Sequence, residues 1–282
     1  MGSSLDNKCF ILGVGAQKAG TSWLHDYLER RPEVFMPSPW KELHYFDARY
    51  CPDLCSHFDD VYRDLAAARL RVLSPPWSQK VRGRKQAAWR VRMISEPEAY
   101  RAYFERYVPK RCRLFGEITP SYSLLPVAGF EDVARRFNEV KVIFLMRDPV
   151  ERVYSQLRMH KRNGTAHSDG EAAFLKALED PVYLERGYYH KTLTRLYSVF
   201  SRDRVFTGFY ENLFSDAEVA RLCDFLGIPF QPGAYGKMIN AAPERTALAP
   251  HLVAEARARF AEAYDFCFTE FGERVPESWR RD

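Results

Sequence analysis

The stretch from Cys9 to Arg30, CFILGVGAQKAGTSWLHDYLER, constrains the fold more than any other. An apolar run of strand length passes straight into a glycine-rich turn, and the turn opens into a helical pattern. Such a junction sets backbone amides and a helix N-terminus at the end of a buried strand, where they can cradle an anion. Lys141 to Met146, KVIFLM, repeats the arrangement. It reads as a central strand and runs into Asp148, Pro149 and Glu151, a helix cap, a first-turn proline and a third-position acid. Further short strands are expected at 34–36, 113–116 and 204–210. Helices are expected at 21–30 (capped by Thr21 or Ser22), 59–72, 96–107, 185–200, 216–226 closed by Gly227, and 250–264, with the tail ending in Trp279. Short strands alternating with longer helices make the pattern of a parallel α/β sheet. The 282 residues read as one domain, with surface excursions near 73–95 and 161–170.

Charge narrows the partners. Lys and Arg number 42 and Asp and Glu 37, a net charge of +5. The segment Lys80 to Arg92, KVRGRKQAAWRVR, holds six basic residues and no acid, so the rest of the chain sums to −1. One basic segment on a near-neutral chain argues against a nucleic-acid footprint and leaves a local anionic partner open. Of the six cysteines, Cys9, Cys112 and Cys223 sit in apolar runs and read as core residues. Cys51 and Cys55 have no second pair at zinc spacing, so no metal is expected. MGSSLDNK leads directly into the first strand, and no run of 18 apolar residues occurs. A soluble cytoplasmic protein, monomeric or homodimeric, is the expectation.

The glycine-rich turn is not a nucleoside-triphosphate loop of the GxxxxGK[ST] type. Gly15 and Gly20 keep that glycine spacing, but Thr21 stands at the lysine position and Lys18 lies inside the turn. QKAGTSW instead resembles the 5′-phosphosulfate loop of sulfotransferases, whose common forms are PKSGTTW and QKxGTT. MRDPVERVYSQL resembles the same family's 3′-phosphate segment. The arginine at the strand end and the serine two turns into the following helix can converge on one phosphate, a charged fork beside a hydroxyl.

The resemblance covers most of residues 9 to 230 and implies a P-loop-like three-layer fold, a central parallel sheet flanked by helices. It implies 3′-phosphoadenosine 5′-phosphosulfate as donor and adenosine 3′,5′-bisphosphate as product, with no metal. Lys18 would meet the phosphosulfate bridge, and Ala19, Gly20, Thr21 and Ser22 would supply amides and hydroxyls. Trp23 would pack against the adenine, and Arg147 and Ser155 would hold the 3′-phosphate. FYENLFSD resembles the family's YExL segment and would place Tyr210 near the adenine. RGYYHKTLTRLYSVF resembles the helix before it. GKMINAAPERT resembles a tail segment in which Lys237 or Asn240 closes over the 3′-phosphate.

SPWKELHYFD resembles the KExHFF stretch in which the glutamate is the base, which points to Glu42. His44 is the rival, since its ordinary pKa suits the task. GEITPSY resembles an EKTPxY segment, with Ile118 where the family has lysine. Lys41, Tyr45, Glu117, Thr119 and Tyr122 are the acceptor-side candidates. The basic segment reads as a solvated excursion or as an acceptor lid, with Trp77 or Trp89 against the substrate and Arg82 or Arg84 toward an anionic group. The leading acceptor is a hydroxyl of a small metabolite, lipid or natural product. Carbohydrate sulfation, a non-catalytic nucleotide- or partner-binding protein of this fold, and a P-loop kinase are the alternatives.

Overall fold

The computed structural model describes residues 4–55, 79–165, 167–236 and 248–280. Five parallel strands form one sheet: β1 (Cys9–Gly15), β2 (Val34–Phe35), β3 (Leu114–Ile118), β4 (Glu139–Met146) and β5 (Val205–Phe209), in the order β2-β3-β1-β4-β5. Every residue of β1, β3 and β5 is buried, as expected when helices cover both faces of a parallel sheet. The strand order explains where a ligand can sit. The chain leaves β1 toward β2 on one side and leaves β4 toward β5 on the other. Since β1 and β4 are neighbours, a crevice opens beyond their carboxyl ends, the switch point at which such sheets bind ligands.

Most expected elements appear within a residue or two. Helix 185–200 is shorter than expected, as a 3₁₀ turn at Glu185–Gly187 followed by helix Tyr189–Tyr197. Helix 96–107 starts only at Ala99, and 250–264 divides into Pro250–Arg259 and Ala261–Phe271. The expected helix 59–72 lies outside the described residues. The cap of helix Thr21–Glu29 is neither Thr21 nor Ser22 but Gly20, in the left-handed region at φ 84°. A Cβ there would also stand 2.6 Å from a Leu213 methyl, so the position favours glycine twice over.

The basic segment is corrected more strongly. It is helix Gln79–Ser95, not a loop, and its second half is anchored. Gln86, Ala87, Arg90 and Met93 are buried, on the spacing of one helix face. Trp89 is half-buried, donates to the Tyr107 hydroxyl at 3.1 Å and packs edge-on against Tyr103, so it fastens this helix to helix Ala99–Tyr107. Residues 161–165, 167, 168 and 170 are exposed and Asp169 is half-buried. Cys9, Cys112 and Cys223 are buried free thiols, and Trp279 is wholly buried.

Candidate active site

The crevice is lined on one side by the turn after β1 and on the other by the turn after β4. The Arg147 guanidinium ties them together, donating to the Lys18 carbonyl at 3.3 Å. The same guanidinium pairs with Glu151 at 3.2 Å and lies over the Tyr210 ring, 4.6 Å from its centroid. Its backbone is fixed as well. The Tyr189 hydroxyl donates to the Arg147 carbonyl, and Asp148 caps helix Pro149–Arg162 by accepting from Glu151 N–H at 3.0 Å. Ser155 sits half-buried two turns into that helix.

Lys18 is half-buried with its backbone in the left-handed region, φ 73°. Burial, followed by the charges of Arg162, Arg147, Arg158 and Lys41, brings its pKa down to about 8. The charges that weigh on it most are thus all positive. A cluster of cations that repel one another is suited to a polyanion, and the phosphosulfate donor fits it. Arg158 and Arg162 were missed in the sequence. Their signal was the spacing from Ser155, three and seven residues on along one helix face.

A second chain of polar groups starts at the phosphate loop. Lys41 Nζ donates to Thr21 Oγ1 at 3.3 Å and pairs with Glu42 at 2.8 Å. The other Glu42 oxygen meets His44 Nε2 at 3.1 Å, while His44 Nδ1 meets Asp47 at 2.6 Å. Ser121 donates to the same Asp47 oxygen. Burial opposes charge on His44, but Asp47 and Glu42 outweigh it and push the pKa up to about 9. Burial likewise opposes charge on Glu42, and Lys41 and His44 outweigh it, bringing the carboxyl down to about 2. The Glu42 side chain keeps 31% of its surface exposed against 4% for His44. Glu42 is thus the more exposed of the two groups, and His44 lies between two carboxylates that favour its charged form.

Several acceptor-side expectations give way. Glu117, Thr119 and Tyr122 are wholly buried. Thr119 and Tyr122 donate to the Glu117 carboxylate at 2.6 and 2.9 Å, and Tyr100 donates to it too. That carboxylate also accepts from Leu43 N–H at 3.0 Å, and the Tyr122 hydroxyl accepts from Tyr45 N–H at 3.0 Å. These groups hold the segment carrying Glu42 from below and have no face toward a ligand. Tyr45 is buried, stacks on Tyr100 and donates to the Pro97 carbonyl at 2.9 Å. Trp23 is 4% exposed, stacked on Tyr27 and hydrogen-bonded to the Ala234 carbonyl at 3.3 Å, so its ring is already covered where adenine was expected. Trp77, Lys237 and Asn240, and the side chains of Arg82 and Arg84, lie outside the described residues.

Residues 10–232 match the sulfotransferase family. The chain belongs to that family. The sulfotransferase is similar in fold to a solved sulfotransferase from Alicyclobacillus acidocaldarius, with a TM-score of 0.67, 23% identity, and 97% of this chain and 99% of that one covered. The sulfotransferase domain of the Synechococcus PCC 7002 olefin synthase aligns with a TM-score of 0.53 at 20% identity over 92% of this chain and 94% of that one. Comparison with the curated proteins finds no match. The expected P-loop-like α/β fold is therefore the observed one, and the chain is an enzyme of sulfuryl transfer. No described helix is long and apolar enough to cross a membrane.

Proposed function

We propose that the sulfotransferase moves the sulfuryl group of 3′-phosphoadenosine 5′-phosphosulfate to a hydroxyl of a small metabolite, lipid or natural product, with Glu42 as general base. The observation that carries this reading is the link Thr21–Lys41–Glu42, which joins the phosphate loop to a partly exposed carboxylate through one ammonium. Glu42 takes the acceptor's proton as its oxygen bonds to sulfur. The bond from sulfur to the bridging phosphate oxygen breaks, and the electron pair left on that oxygen is stabilised by the Lys18 ammonium. Arg147 and Ser155 hold the 3′-phosphate, and Tyr210, under the Arg147 guanidinium, flanks the adenine side.

Lys41 has two tasks that compete. While it pairs with Glu42 the carboxylate is a weak base. Donor sulfuryl oxygens that attract Lys41 away leave Glu42 more basic at the moment an acceptor is to be deprotonated. The test combines labelled donor with a cell extract and reads which mass gains sulfate. Glu42→Gln should lower transfer by about a hundredfold or more while affinity for adenosine 3′,5′-bisphosphate stays within about twofold. Retained transfer would sink the base assignment. A labelled polysaccharide in place of a small product would move the acceptor to the carbohydrate class.

A further inference from the structure

Helix Gln79–Ser95 carries the sequence's charge excess, whereas among the described residues the charges that weigh most on Lys18 lie elsewhere. Its buried face does something specific. Gln86 pairs with both main-chain groups of Trp40, accepting from its N–H at 3.3 Å and donating to its carbonyl at 2.6 Å. One turn on, Arg90 is 1% exposed and donates to the His44 carbonyl. Trp40 stands two residues before Glu42 and His44 two residues after it. Arg49 adds a bond to the Met93 carbonyl at 2.9 Å. The strand end below supplies the opposing grip, through Leu43 N–H to Glu117. Between the two supports the Lys41 side chain reaches outward to Thr21, and Glu42 pairs with Lys41.

We propose that Gln86 and Arg90 are positioning residues for sulfuryl transfer, holding Glu42 toward the phosphate loop by gripping the main chain on either side of it. The proposal rests on the reading of Glu42 as base. A site of this kind needs its reacting group held within a fraction of an ångström, and buried hydrogen bonds to the flanking main chain do that where an exposed loop does not. An amide that pairs with both the N–H and the carbonyl of one residue holds the two peptide units on either side of its Cα, and so fixes their rotation as well as their position. The buried guanidinium occupies a carbonyl that would otherwise be left facing the interior.

The whole chain is tested as Gln86→Met, Arg90→Lys and Glu42→Gln, singly and in pairs. Methionine keeps the volume of Gln86, and lysine keeps the charge of Arg90. Each of the first two variants should cut sulfate transfer from labelled donor into cell extract by about tenfold, with bisphosphate affinity within about twofold of the parent. Combined with Glu42→Gln, neither should add more than about twofold to the loss that Glu42→Gln causes alone, because groups acting through one residue are not additive. Undiminished transfer in the single variants, or losses that multiply in the pairs, overturns the proposal.

A third readout needs no turnover. The titration of the His44 ring, followed by NMR in histidine-labelled protein, reports its contacts with Glu42, Asp47 and Ser121. Loosening Glu42 should lower the midpoint from about 9 toward the ordinary value of 6.5, and an unchanged midpoint in both variants overturns the proposal. Full transfer by Glu42→Gln overturns the base assignment and with it the role in transfer, and the His44 titration then tests the remaining part of the proposal, that Gln86 and Arg90 hold Glu42 in place. Should Arg90→Lys not fold, Gln86→Met carries every arm.

Discussion

Asp47 and Glu42 favour the charged form of His44, and this has two measurable effects. The first concerns catalysis. With Glu42 held at about 2 and Lys18 at about 8, kcat/KM for the donor should be level from about pH 5 to 7 and fall above about pH 8, as Lys18 loses its charge. Were His44 the base, activity would instead rise toward its midpoint of about 9. A pH–rate profile separates the two. The second concerns stability. The folded-state pKa of His44 is raised above 6.5, so the stability it contributes is fully present below about pH 6.5 and lost as the pH rises through about 9. The urea midpoint of the parent should therefore drop across that window more than the midpoint of His44→Gln does.

Among the elements, the turn between β4 and helix Pro149–Arg162 is the most heavily supported. Asp148 N–H donates to Glu211 at 3.0 Å, and the buried Tyr264 hydroxyl donates to Asp148 at 2.9 Å. Tyr264 comes from helix Ala261–Phe271, late in the chain, and it secures the turn that aims Arg147. Tyr264→Phe removes one buried hydrogen bond, worth about 1 kcal/mol, and should weaken bisphosphate binding by about fivefold with less effect on the acceptor KM. Equal losses on both substrates in steady-state kinetics would contradict this.

This element also marks what a sequence reader can see. The β4 strand, the Asp148 cap and the Arg147–Ser155 spacing are local patterns, and they were legible. Tyr264, Gln86 and Arg90 meet the site only through contacts 116, 46 and 46 residues apart, which no periodicity records. Glu117, Thr119 and Tyr122 were recognised as belonging near the site, but their side chains face inward. A motif gives residue types, and only the packing says which way they point. Gln79–Ser95 was misread as an excursion because its six charges hid a buried face of Gln86, Ala87, Arg90 and Met93.

At the scale of the molecule, one continuous buried cluster runs from Leu5 to Trp279, past the residues that match the family. Trp279 packs on Tyr189, Phe209 and Tyr264, so the chain's last described turn closes the core behind the donor turn. Trp279→Ala should cost about 3–5 kcal/mol by thermal or denaturant unfolding, the usual loss for a buried tryptophan. Adding adenosine 3′,5′-bisphosphate should recover part of that, since a ligand that binds only the folded state stabilises it by mass action.

The crowd of positive side chains around Lys18 also has a bearing on how the catalytic cycle ends. On the proposed reading, transfer removes the sulfuryl group but leaves both phosphates among these cations, and the departing nucleotide must hand them back to one another. Each turnover should then finish with an uphill parting, and inhibition by the spent nucleotide should ease as salt is added.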